Sequence, residues 1–96
     1  MTKRFLSLLL VVICATLHAM AQLITVKGNV VDKAAEPIIG ASVTIAGTTK
    51  GTVTDIDGNF TMQADANAEL TISYIGFKSK KVKVGNGNLK IELEEE

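Results

Sequence analysis

The chain has 96 residues, 47% hydrophobic and 21% charged, with no formal net charge. That size suits one small domain. The lack of a basic excess excludes the electrostatic footprint of a nucleic-acid binder.

Residues 1–21 differ in kind from the rest. Lys3 and Arg4 precede an apolar run from Phe5 to Ala15, and Ala19-Met20-Ala21 supplies small residues after it. Basic, apolar and small residues in that order predict a secretory signal peptide. Cleavage is expected after Ala21, with Ala19 and Ala21 marking the site and Gln22 as the new N-terminus. The run is shorter than the ~20 apolar residues that span a bilayer. Cys14 invites a rival reading as an acylated lipoprotein cysteine. Ile13 before it is bulkier than the small residue such processing wants, and the cysteine sits in mid-run.

Cleavage removes Cys14 and His18, the chain's single cysteine and single histidine. The expected domain, residues 22–96, then excludes zinc sites built on Cys or His, thiol nucleophiles, histidine triads and disulfides. Loss of Lys3 and Arg4 leaves it faintly acidic, which gives little long-range steering of a charged ligand.

From Ile24 onward, apolar and polar residues alternate with period two, the pattern of half-buried strands. Seven segments show it in chain order: Ile24 to Val30, Ala41 to Ile45, Thr52 to Thr54, Phe60 to Met62, Leu70 to Tyr74, Lys81 to Val84, and Leu89 to Leu93. Turn residues separate them: Glu36-Pro37 and Gly40, Gly47 to Gly51, Asp57-Gly58-Asn59, Ala64 to Ala68, Gly76, and Gly85 to Asn88. Seven short strands predict an all-β fold, a small seven-stranded antiparallel β-sandwich with a thin core. A core of this size favours modest stability or packing against a larger partner.

The stretch GTVTDIDGNF, residues 51–60, sets a calcium loop against a tight turn. Counted from Asp55, the candidate ligands Asp55, Asp57 and Asn59 fall at loop positions 1, 3 and 5 of an EF-hand. Position 6 is then Phe60 where glycine is needed, position 12 is Ala66 where glutamate is needed, and the flanks are strands. The turn reading explains more. Asp55 and Asp57 accept backbone N–H groups, Gly58 takes a positive φ, and residues 52–54 pair with residues 59–61 as a hairpin. No cofactor is expected.

Lys78, Lys80, Lys81 and Lys83 read as an exposed edge strand guarded against pairing, rather than an anion-binding patch. Glu92 and Glu94 to Glu96 read as a solvated strand end. Asp55 and Asp57 as an acid and base would need a walled cleft, for which a thin sandwich has little depth. Ile75 and Phe77, around Gly76, fall outside simple alternation. They cap the core end by default, or else form an exposed contact patch.

The run VKGNVVDKAAEPIIGASVTIAGTTKGTVTDIDGNFTM, followed by LTISYIGFKSKKVKV, strongly resembles the carboxypeptidase regulatory-like domain, a transthyretin-like β-sandwich. It is most similar to the version at the N-terminus of SusC/RagA-type TonB-linked outer-membrane transporters of Bacteroidetes. The resemblance covers about Ile24 to Leu93. It rests on Pro37 with Gly40 to Val43, Gly47 to Thr49 with Gly51-Thr52, Thr54-Asp55 with Asp57 to Phe60, and Ser73 to Phe77 with Gly76 at its turn. In physical terms Pro37 stiffens a connection, Gly40 and Gly51 permit turns, Gly58 completes the hairpin, and Phe60 and Tyr74 supply large core groups.

Two departures stand out. Ala35 replaces the glycine usual in the first turn, which is expected to tighten or re-route that loop. Family transporters also continue through a TonB-contacting segment into a plug and barrel, whereas this sequence stops at Glu96.

The resemblance implies an exported, non-catalytic accessory domain in the periplasm, associated with an outer-membrane transporter or another envelope protein, detached or truncated. The alternative is a stand-alone secreted module that binds a cell-surface protein or glycan. Neither involves nucleic acid or a membrane span in the mature chain, and the domain is expected to be monomeric by itself.

Overall fold

A computed structural model describes residues 23–96, all in strands and their connections. The leader and its cleavage residues Ala19, Ala21 and Gln22 lie outside the described residues. Seven strands form: β1 (Leu23–Val31), β2 (Ser42–Ile45), β3 (Gly51–Val53), β4 (Asn59–Asp65), β5 (Glu69–Ser73), β6 (Lys80–Lys83) and β7 (Asn88–Glu92). They build a three-stranded sheet ordered β4-β1-β7 and a four-stranded sheet ordered β3-β2-β5-β6.

Alternation places one face of each sheet inward. Val26 and Val30 of β1, Phe60 and Ala64 of β4, and Ile91 of β7 meet Val43 of β2 and Leu70 and Ile72 of β5. Ile38, Ala41, Val84 and Leu93 close the core from the connections. Gly28 falls between Val26 and Val30 on the inward side, paired with Phe60. A Cβ at Gly28 would strike the Phe60 ring, so the missing side chain of one strand makes room for the largest group of the next.

Three features depart from the sequence reading. First, β1 and β7 run parallel, with Lys27 opposite Asn88 and Val31 opposite Glu92; every other pair is antiparallel. β7 arrives from β6 of the other sheet, so its direction is set by that crossing and not by a hairpin with β1. Alternation has period two in either direction and gives no sign of this.

Second, β3 and β4 do not form a hairpin. They belong to different sheets, and the connection through Asp55 to Gly58 carries the chain from one to the other. β3 is also turned over: Val53 pairs with Ser42 on the outer face and is 62% exposed, while Thr54 is 4% exposed.

Third, Tyr74 is not a core group. It is 41% exposed. The chain turns just past β5, with the Phe77 N–H donating to the Tyr74 carbonyl at 3.1 Å and Gly76 at φ 88°. That turn delivers Phe77, not Tyr74, to the end of the core, where it packs as a partly buried residue.

Candidate functional site

Two neighbourhoods hold the residues singled out from the sequence. One is the sheet-crossing turn. Oδ1 of Asp55 accepts the N–H groups of Asp57 and Asn59, each at 2.9 Å. The Gly58 N–H donates to the Asp55 carbonyl at 3.0 Å, and the Asp55 N–H to the Asn59 carbonyl at 2.9 Å. This is a type I turn followed by a left-handed residue, Gly58 at φ 75°.

Asn29 locks the turn to β1. Its Nδ2 donates to the Asp57 carbonyl at 3.0 Å and to Asn59 Oδ1 at 2.8 Å. Of the three candidate calcium ligands, Asp55 and Asn59 thus each have a side-chain oxygen engaged in holding the loop. Among the described residues no three His, Cys, Asp or Glu side chains gather as a metal cage would require.

The geometry recurs at Asp32. Its Oδ1 accepts from Ala34 at 2.8 Å and from Glu36 at 3.0 Å, and its carbonyl accepts from Ala35 at 3.0 Å. Ala35 sits at φ 61°. The alanine occupies the left-handed position of this turn, at some cost in strain.

Thr54, read from the sequence only as a strand end and part of a motif, ties the start of the β3–β4 connection to the β1–β2 connection. Its buried hydroxyl donates to the Ile38 carbonyl and accepts the Ala41 N–H at 2.9 Å. A threonine in an apparent strand end carries no distinctive signal; its role follows from burial between loops distant in sequence.

The second neighbourhood is the end of the sandwich at residues 74–77. Ile75 is 93% exposed, so it does not cap the core, whereas Phe77 does in part. The rings of Tyr74 and Phe77 lie 6.0 Å apart and tilted by 47°, within the range of favourable aromatic pairs. Beside them runs a shallow open groove lined by Gly40, Ser42 and Ser73 together with Tyr74, Ile75 and Phe77. Glu96 lines it as well.

The C-terminal residues pack along the same end. The Lys78 N–H donates to the Glu94 carbonyl at 2.8 Å and the Glu96 N–H to the Gly76 carbonyl at 3.0 Å. The Glu94 carboxylate lies 3.3 Å from Lys33 Nζ and 3.9 Å from Lys78 Nζ. The hydrogen bond from Lys33, followed by the charges of Lys33 and Lys78, holds its pKa below the ordinary carboxylate value. Glu94 is therefore tied down and not a free tail. Lys80, Lys81 and Lys83 lie on β6, an edge strand.

No helix among the described residues is long and apolar enough to cross a membrane. The CarboxypepD_reg-like domain family matches residues 26–96. The TonB-dependent receptor SusC of Bacteroides thetaiotaomicron is 43% identical over 81 residues, which cover 84% of this chain and 8% of the receptor. TonB-dependent receptor P26 of Formosa agariphila is 48% identical over 56 residues, 57% of this chain and 6% of that protein. The chain thus spans less than a tenth of the length of these relatives.

Proposed function

Because the chain belongs to the CarboxypepD_reg-like domain family, we propose that it is a non-catalytic accessory domain of a SusC-type TonB-dependent receptor, exported and working on the periplasmic side of the outer membrane. The observation that carries this reading is the match of 84% of the chain to 8% of a receptor. A stretch of that size corresponds to one domain of the larger protein and not to its transport machinery.

The leader supports export. The absence of cysteine and histidine after His18 supports a role without nucleophilic or zinc chemistry. The end at residues 74–77 supplies a contact surface: Ile75 projects almost wholly into solvent, and it lines the same groove as the partly exposed Tyr74. An exposed aliphatic side chain next to an aromatic one is the composition of a protein-binding patch.

The test is a photo-crosslinking amino acid at position 75, with the chain expressed in its native cells and the outer membrane isolated after irradiation. The expected product joins the chain to a TonB-dependent receptor, or joins two regions of one receptor where the domain is part of it. Recovery of the domain in the cytoplasm, or products with no receptor among them, would overturn the proposal.

A further inference from the structure

The sandwich has four edge strands, and they are protected unequally. β6 carries Lys80, Lys81 and Lys83 in four residues, a pattern that repels an incoming strand. The outward carbonyl of Glu92 on β7 already accepts Lys80 Nζ at 3.3 Å, and that of Glu94 accepts the Lys78 N–H. β3 has three residues, too few to template a stable pair.

β4 differs from all of these. It is seven residues long, has no lysine, proline or glycine, and its single charge is Asp65. Val30 donates to the Gly58 carbonyl on one side and Asp55 to the Asn59 carbonyl on the other. Backbone groups of successive residues face opposite sides of a strand, so Thr61 and Gln63 point theirs away from β1, as Asn59 does. Asp55 occupies Asn59, the Asp65 carbonyl accepts the Ala68 N–H at 2.9 Å, and no strand among the described residues pairs with the rest. The open groups are therefore those of Thr61 and Gln63 and the N–H of Asp65.

We propose that this edge joins two copies of the chain, β4 against β4, antiparallel about a two-fold axis at Gln63. In that register Gln63 faces its own mate, Thr61 faces Asp65, and Met62 faces Ala64. No like charges meet, the two Gln63 residues exchange their outward groups, and each Thr61 carbonyl accepts the N–H of the mate's Asp65, while the Thr61 N–H shares the Asp65 carbonyl with Ala68. Phe60, Met62 and Ala64 lie on the core side of β4, so the two cores align on one side of the joined sheet. The same operation on β6 would set lysine against lysine. This inference stands on the edge geometry and is independent of the family assignment; it differs from the monomer expected from the sequence.

The described fold and its core lie wholly within residues 23–96, so the test uses the chain from Gln22 onward. Sedimentation velocity from micromolar to millimolar protein is expected to show the weight-average mass rising toward twice the monomer value. Gln63→Lys, which brings two like charges together at the axis, is expected to hold the chain at the monomer mass with its melting temperature little changed. Gln63→Cys treated with a short bis-maleimide is expected to give covalent dimer at concentrations where Lys81→Cys, on the lysine-guarded edge, gives none. A monomer at every concentration, or equal crosslinking from positions 63 and 81, would overturn the proposal.

Discussion

Ala35 and Gly58 hold the same position in two copies of one turn. Each is the fourth residue of a loop opened by an aspartate, each has its N–H on that aspartate's carbonyl, and each is left-handed, at φ 61° and 75°. Only one of them is a glycine. A left-handed L-residue costs about 1 to 2 kcal/mol, and the extra freedom of glycine in the unfolded chain takes back about 0.4 to 1 kcal/mol. Ala35→Gly is therefore expected to stabilise the domain by about 0.5 to 1 kcal/mol. Gly58→Ala should destabilise it by more than that, because its Cβ would also sit 2.5 Å from the Val30 carbonyl oxygen. Urea unfolding of both variants checks the opposite signs.

Asp55 is a turn-former through its Oδ1. Asp55→Ala leaves the N–H groups of Asp57 and Asn59 without that acceptor and is expected to cost about 1 to 2 kcal/mol. Neither calcium nor a chelator should move the melting temperature of the wild-type domain, since only a ligand of the folded state raises it. A calcium-dependent rise that Asp55→Ala abolishes would show a metal site in place of a simple turn.

Thr54→Val keeps the shape of the side chain and removes its hydroxyl, leaving the Ile38 carbonyl and the Ala41 N–H unpaired in a buried place. The expected loss is about 1 to 3 kcal/mol. Thr54→Ser, which retains the hydroxyl and drops a methyl group, should lose about 1 kcal/mol. Equilibrium unfolding that ranks serine below valine in stability would contradict this.

Phe60 and Tyr74 look alike in the sequence and sit in opposite environments. Phe60→Ala opens a core cavity and is expected to cost about 3 to 5 kcal/mol, whereas Tyr74→Ala, on the exposed end, should cost about 1 kcal/mol or less. Gly28→Ala offers a separate check through its contact with the Phe60 ring. Its destabilisation should shrink in a Phe60→Leu background, and a double-mutant cycle reads that coupling.

Glu94 links stability to pH. Its folded-state pKa lies below the ordinary value of 4.5 because of Lys33 and then Lys78. The ionised form is thus favoured by folding, and the contribution is present above the unfolded pKa and lost as pH falls through the folded one. The pair is exposed, so the effect is small and weakens with salt. The melting-temperature difference between wild type and Glu94→Gln should be present near neutral pH, disappear below the folded pKa, and narrow in high salt.

How much of this was legible beforehand can be traced residue by residue. Alternation marked all seven strands because a half-buried strand must show it, and Asp55 with Gly58 announced a turn because a carboxylate acceptor and a left-handed backbone have few other uses. The same logic found Phe60 in the core. It failed at Val53 and Thr54, where the threonine is buried with its hydroxyl bonded to Ile38 and Ala41 and the valine is exposed. It failed at Tyr74 because the turn at Gly76 sends Phe77 inward instead.

The sequence by itself determined which segments are strands, where the chain turns, and which family the domain resembles, since each of these follows from local periodicity, backbone preference or short motifs. Tertiary structure alone decided that β7 runs parallel to β1, that Asp55 to Gly58 bridges two sheets, that Ile75 stands in solvent, and that β4 is the unguarded edge. Strand partners are chosen by contacts between residues far apart along the chain, and a period of two reads the same whichever partner, direction or sheet a strand finally takes.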